Sequence, residues 1–303
     1  MKKKKTNTKQ DAWTHYWTFA ATGSSGCVPG APAVVADSLQ EIWVDFFTTL
    51  PQDGKLVDVG TGGGAVLKEA RMTRPDLQLT GVDYAKVLPE LAEDIIMLPG
   101  TSLERLPFPD KSVDVVTSQF AVEYAPLRQA VNEVQRVLRK DGVFLFICHH
   151  ADSIIVEENV KRLGVIQDIL AGSGLLQTVI SVVKQKKTLD PKKQTLLFRL
   201  LQKLQMKHPD QPIVNEVAEI TAQMMTAPDG LKKLLALRRD IEMEGKRIFA
   251  LKKSALNSHQ IEELIAQCAL HHSVVQWRTI YVPGTKIPLA WYIKSECNRK
   301  KSL

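Results

Sequence analysis

Eight residues, Val57 to Gly64 (VDVGTGGG), constrain the fold of this chain more than any others. Leu56, Val57 and Val59 read as the end of a buried strand, and Gly60, Gly62, Gly63 and Gly64 follow with no side chains to keep a ligand away from the backbone. A helix starts at once, because Ala65, Val66, Leu67, Lys68, Glu69 and Ala70 are mostly good helix formers. Strand, glycine turn and helix N-terminus together make the nucleotide-binding corner of a doubly wound α/β sheet, where a ligand sits outside the carboxyl ends of the strands.

The glycine spacing also satisfies the loose dinucleotide fingerprint, which alone discriminates poorly. Asp58 tips the balance. A carboxylate two residues before the first glycine repels a pyrophosphate, whereas it suits a cation such as the ammonium and sulfonium of S-adenosylmethionine. Asp83 closes the next strand, Leu77 to Asp83, where a pair of acceptor oxygens can take two ribose hydroxyls. The plainer alternative is that Asp58 caps the glycine loop and Asp83 the following helix.

Four stretches carry a resemblance to the class I S-adenosylmethionine-dependent methyltransferases, and within them to the small-molecule branch of ubiquinone and menaquinone biosynthesis. They are Asp58 to Gly64, Gly81 to Tyr84, Ser102 to Val116 (SLERLPFPDKSVDVV) and Arg136 to Gly142 (RVLRKDG), in the family's order and spacing over about a third of the chain. The resemblance implies a Rossmann-like, doubly wound seven-stranded α/β sheet with a terminal antiparallel hairpin. It further implies S-adenosyl-L-methionine as cofactor. Gly60, Thr61, Gly62 and Gly64 with Asp58 would hold the methionine end, Asp83 the ribose, and Tyr84, Ser102 and Leu103 the adenine. Ser118 and Gln119 would lie beneath the cofactor near the methyl group. Ser102 stands where relatives often carry an acid, so its hydroxyl and the nearby backbone would bond the adenine in place of a carboxylate.

The formal charge of +7 would point to nucleic acid if it were spread over the body, but it is not. Residues 1–10 hold five lysines, and residues 297–303 hold Arg299, Lys300 and Lys301, with no acid in either stretch. Of 40 basic residues these eight lie in the two tails, leaving 32 against 33 acids. The tails read as solvated ends, and a near-neutral body argues against nucleic acid. Cys27, Cys148, Cys268 and Cys297 form no CxxC pair, so neither a zinc ribbon nor a disulfide framework is expected. A polar stretch follows MKKKK, and no run is read as approaching the ~20 apolar residues of a membrane span. The expectation is a cytoplasmic protein with no membrane insertion.

Residues 1–36 are expected to form a tail and an aromatic segment. Trp13, Tyr16, Trp17 and Phe19 either cover core surface or close as a lid over the cofactor and acceptor pocket. Gly23 to Pro32 reads as a loop or hinge. The Rossmann-like core is expected over 37–152. Ser38 with Glu41 would cap a helix bearing Leu39, Ile42, Trp43, Phe46, Phe47 and Leu50 on one face. A short helix, interrupted by Pro89, is expected from Ala85 to Asp94. Val143 to Ile147 reads as the fifth strand after a turn at Asp141-Gly142. Residues 153–257 lose the strand-helix alternation and read as a helical insertion, with helices near Gln194 to Lys207 and Leu231 to Lys253 broken by Pro191, Pro209, Pro212 and Pro228. Such an insertion would shape the acceptor pocket or form a homodimer interface. Lys184, Lys186, Lys187, Lys192 and Lys193 read as a solvated face. Residues 258–296 would supply the last helix and the hairpin, and 297–303 the basic tail.

His149 and His150 stand just past the fifth strand, at the ligand edge of the sheet. Either could remove a proton from an acceptor, or bond neighbouring backbone instead. Tyr124, and His15 and Tyr16 from the lid, complete the acceptor-side candidates. The fourth strand ends in Ser118-Gln119-Phe120-Ala121, which lacks the Asn/Asp-Pro-Pro run of adenine and glutamine methyltransferases and the carboxylate that would hold magnesium. No metal is expected. The function expected is methyl transfer to an O, N or C atom of a small-molecule acceptor. A macromolecule methyltransferase (RNA or protein), a non-catalytic S-adenosylmethionine-binding protein and, more distantly, a dehydrogenase stay open.

Overall fold

The computed structural model describes residues 8–20, 33–185, 190–270 and 274–296. The lysine tail at 2–5, the Gly23 to Pro32 loop, Lys186, Lys187 and the basic tail at 297–303 lie outside the described residues. The chain divides into two compact units, Met1–Glu157 with Ala250–Leu303, and Glu158–Phe249.

The first unit is built on a seven-stranded sheet. Its strands are β1 (Lys55–Val59), β2 (Gln78–Asp83), β3 (Ile95–Pro99), β4 (Val113–Gln119), β5 (Leu138–His149), β6 (Val275–Tyr281) and β7 (Pro288–Ser295), in the spatial order β3-β2-β1-β4-β5-β7-β6. The first five pair in parallel, and β7 runs antiparallel to both β5 and β6. The terminal β6-β7 connection is too short for a helical crossover, so the pair closes as a hairpin. β1 lies between β2 and β4, so the strand order reverses at the end of β1, and the sheet opens a crevice there.

Helices cover the sheet because the strands are apolar on both sides. Against one side, Val57, Val59, Val116, Phe144 and Phe146 pack with Val131, Val134 and Val137 of α4 (Leu127–Val137) and with Ile261 and Leu264 of α10 (Ser258–Ala269). Elsewhere Trp43 stacks on Phe47 within α2 (Ala33–Thr48), and both are buried. Asn257 and Gln260 form a capping box that starts α10.

Four expectations about elements need correction. α2 begins at Ala33, five residues before Ser38, because Val35 extends the stripe that continues through Leu39, Trp43, Phe46 and Leu50, all of them buried. No helix forms over 85–94. The backbone there is held open by Ala85, whose N–H is taken by the Asp83 side chain and whose carbonyl accepts from Gly100. Asp141-Gly142 is not a free turn but lies inside the long β5, opposite a register shift between Val113 and Val115. Finally, Ile154–Lys184 holds an 18-residue stretch with a mean hydropathy of 1.4, long and apolar enough to cross a membrane by composition alone, and half of that stretch is buried.

The second unit is helical. α5 (Ile154–Leu170) enters it, α6 (Leu175–Lys184), α7 (Pro191–Lys207) and α8 (Ile213–Thr226) follow, and α9 (Gly230–Ser254) leaves it. Its core gathers Val165, Ile166, Ile169, Leu176, Val217, Leu234 and Ile248. The prolines start helices here instead of breaking them. Pro191 occupies the first turn of α7 behind Asp190, whose carboxylate caps Lys193 N–H, and Pro212 precedes α8.

Arg136, at the end of α4, fixes the loop between β3 and β4. Its guanidinium donates to the carbonyls of Leu106 and Phe108 and pairs with Glu133 and Asp110. Arg136→Met leaves those carbonyls without a donor, and we expect a loss of about 2 kcal/mol in urea unfolding. A variant as stable as wild type would show that water replaces the guanidinium without loss.

Candidate active site

The site grows from the turn that follows β1. Gly60 N–H and Thr61 N–H both donate to Val82 O, and Gly62 N–H donates to the Asp83 carboxylate at 2.9 Å. The turn is therefore stitched to the end of β2. Two of its glycines are required by geometry. Gly60 has φ 70° and a Cβ there would lie 2.1 Å from the Ala121 Cβ, while Gly62 has φ 51° and a Cβ there would lie 2.1 Å from the Trp17 ring. Gly64, with φ 72°, caps α3 (Ala65–Thr73) and lies against Leu91, away from the cleft lining.

Asp83 is buried, and its second oxygen accepts from Ala85 N–H at 2.8 Å. The plainer role expected of it, capping a following helix, does not arise because no helix forms there; it braces the turn and the segment after β2 while lining the cleft. Burial pushes its carboxyl up, against those two backbone bonds. Asp58 is 1 % exposed and accepts from the Thr117 hydroxyl at 2.8 Å. Burial pushes it further, to about 7, and the nearby Asp83 adds to the rise. An isolated carboxylate in such a place is uncomfortable until a cation arrives.

Two connected features lie over the turn. The larger is a cleft of about 820 Å³, partly open to solvent, lined by Gly60, Asp83, Tyr84, Leu103, Phe120 and Tyr124 among others. Ser102 and Glu104 also line it, and the Ser102 hydroxyl donates to Glu104. The sequence reading assigned no acid to this loop, yet Glu104 supplies one two residues beyond the expected place. The smaller is a narrow chamber bounded by Asp58, Gly60, Thr61, Gly63, Gln119 and Trp17. The buried Thr61 hydroxyl bounds it beside the Asp58 carboxylate, whose rise it opposes.

α1 (Thr8–Ala20) crosses this site. Trp13 and Trp17 line the cleft, Trp17 lies on Gly62 and Gly63, and Trp13 meets Tyr124 edge to face at 5.3 Å. Gln10 donates to Tyr84 O, and Thr14 accepts from Lys86 N–H. Tyr16 packs edge-on to Trp13 and Trp17. Neither Tyr16 nor His15 is among the lining residues.

The end of β4 departs from expectation. Ser118 is fully buried and its hydroxyl accepts from Val122 N–H, so it shapes the turn and does not face the cleft. Gln119 borders the small chamber while its carbonyl accepts from Trp43 Nε1. His149 and His150 point to opposite faces, as adjacent strand residues must. His150 stacks on Trp291 at 4.2 Å and its Nδ1 accepts from Asp152 N–H; burial lowers its pKa. His149 lies beneath Phe120 and Tyr124, bound to Glu123. Glu123 carried no sequence signal, since a lone acid in the turn after a strand reads as solvated.

Comparison with known proteins gives the same corner. Residues 57–146 match the family model described as "Methyltransferase domain". The uncharacterized methyltransferase YcgJ of Bacillus subtilis is 35% identical over 126 residues, covering 38% of this chain and 48% of that protein. The ubiquinone/menaquinone biosynthesis C-methyltransferase UbiE of Geobacter sulfurreducens is 33% identical over 102 residues, covering 30% and 40%. Among solved structures, geranyl diphosphate C-methyltransferase from Streptomyces coelicolor A3(2) is 16% identical over 48% of this chain and 65% of that one, with a TM-score of 0.35. The chain thus spans less than half the length of the curated relatives named here.

The strained ionisation of Asp58 has a measurable sign. Its folded pKa, near 7, lies above the unfolded value of 3.8, so its contribution to stability falls as pH rises from about 4 to 7. Asp58→Asn keeps an acceptor for Thr117 and removes the charge. We expect its gain over wild type in urea unfolding to be small at pH 4 and to reach about 3 kcal/mol at pH 8. A gain that does not change with pH would contradict this.

Proposed function

Residues 57–146 being a class I methyltransferase domain, we propose that the whole chain is an S-adenosyl-L-methionine-dependent methyltransferase acting on an O, N or C atom of a small molecule. The observation that carries the proposal is the chamber at the glycine turn, where a buried, reluctantly ionised Asp58 and the Thr61 hydroxyl beside it face one small volume. An α-amino acid end supplies an ammonium for the first and polar atoms for the second. The residues present therefore fit the cofactor.

Asp58, Thr61 and the backbone of Gly60 hold the amino-acid end. Asp83 accepts from the ribose hydroxyls while keeping its bonds to Gly62 and Ala85, because each carboxylate oxygen has a second lone pair. Tyr84, Leu103, Ser102 and Glu104 surround the base, with Glu104 as an acceptor for an amino group. The cofactor, when bound, supplies an electrophilic sulfonium methyl group. The chain supplies alignment and exclusion of water, and Trp13 and Trp17 of α1 act as the lid that does so. The named relatives support a small-molecule acceptor: UbiE is described as a quinone-biosynthesis C-methyltransferase, and the Streptomyces coelicolor enzyme as acting on geranyl diphosphate. We place the reaction in the cytoplasm, in keeping with the free buried thiols of Cys148 and Cys268.

Incubating the protein and a cell extract with isotopically labelled methyl donor, then finding the labelled product by mass spectrometry, tests the function; the expected product is a small molecule. Label found only in RNA or protein would overturn the acceptor class. The lid makes a separate prediction. Titration with S-adenosylhomocysteine should change tryptophan fluorescence, and Trp17→Ala should weaken binding at least tenfold by calorimetry. Equal affinity in that variant would reduce α1 to plain packing.

A further inference from the structure

Glu123 has a fully buried carboxylate in the 3-10 turn Val122–Tyr124 that follows β4, and a buried acid demands partners. Its Oε1 accepts from His149 N–H at 2.9 Å and lies 2.6 Å from Nδ1 of the same residue. The backbone bond fixes the oxygen, and the oxygen fixes the ring. A carboxylate only accepts, so Nδ1 carries the hydrogen and Nε2 keeps its lone pair. That Nε2 is buried with no hydrogen-bond partner among the described residues.

The unmet lone pair sits one ring away from the cleft. Phe120 and Tyr124 line the cleft, and their centroids stand 4.3 and 5.8 Å from that of His149. Phe120 holds φ at 56°, a left-handed conformation that is strained for a bulky residue. Relaxing it lowers the barrier to moving the covering ring. The other titratable groups nearby are Tyr124 on the same turn and the Cys148 thiol of β5, raised by burial and by Glu123 beside it. Behind Cys148 stands the likewise raised Cys268 of α10. β7 contributes Ala290 opposite His149, and His150 faces the other side.

We propose that Glu123 and His149 form the proton-accepting dyad of the transfer, reached from the cleft as Phe120 and Tyr124 part, so that the acceptor carries an ionisable O–H or N–H. This rests on the methyltransferase reading above. His149 Nε2 takes the acceptor's proton as the acceptor oxygen or nitrogen bonds the methyl carbon, and the carbon–sulfur bonding pair stays on sulfur. Glu123 is a positioning residue that fixes the tautomer and stabilises the imidazolium.

The test uses the full chain. Nitrogen-15 NMR of the imidazoles should show His149 as the Nδ1–H tautomer at pH 8, a preference that Glu123→Gln should weaken. With labelled S-adenosylmethionine and cell extract, His149→Gln should lower the rate of label transfer at least a hundredfold. Glu123→Gln should lower it about tenfold. Both variants should bind S-adenosylhomocysteine within threefold of wild type and melt cooperatively. An Nε2–H tautomer, or variants that bind the cofactor and transfer label at the wild-type rate at every pH, overturns the dyad. A wild-type chain that binds no S-adenosylhomocysteine instead removes the methyltransferase reading beneath it.

Discussion

The bond from Gly62 N–H to the buried Asp83 carboxylate is the constraint on which the rest depends. It joins the turn after β1 to the end of β2, and the same carboxylate then directs the chain at Ala85 away from helix. With both ends fixed, the turn can pass close beneath Trp17 and against Ala121, approaches that only glycine permits. The cleft is what remains between this stitched turn, the loop held by Arg136 and the tryptophans of α1. Binding chemistry and fold share one set of bonds here.

Charge is handled unequally across the site. Asp83 is compensated by backbone donors, whereas Asp58 has only the hydroxyls of Thr117 and Thr61 beside it and is only partly ionised near pH 7. Glu123 is compensated by a histidine that is itself left with one open position. Asp58 borders the chamber at the glycine turn, and the His149 Nε2 lies behind Phe120 and Tyr124 of the cleft lining. Stability alone would have filled such positions with apolar residues or closed pairs. Their retention is what a protein does where a ligand completes the network.

Much of this was legible in the sequence, for physical reasons. Strand ends marked by Asp58 and Asp83, the glycine turn, the β-branched run of Val113 to Ser118 and the unbroken apolar run of Val143 to Ile147 carry their own geometry, and the sheet follows them. Paired apolar runs with a short proline-glycine link announced the hairpin. What stayed hidden depends on tertiary context. Ser38 looked like a cap because its own residue type favours caps, while Val35 was needed in the core and carried the helix past it. Ser118 looked like a ligand contact but serves the turn, and only the fold shows that Val122 N–H needs it. Glu123 and Glu104 look like any surface acids until the chain brings His149 and Ser102 to them.

The central claim is that the glycine turn between two buried acids holds an adenosyl sulfur compound by its amino-acid and ribose ends. A crystal structure of the full chain with S-adenosylhomocysteine tests it most directly. The account predicts the ammonium beside Asp58 in the chamber under Trp17, and both ribose hydroxyls within hydrogen-bond distance of Asp83. A nucleoside bound elsewhere, or lying in the cleft with Asp83 contacting only Gly62 and Ala85, would contradict it.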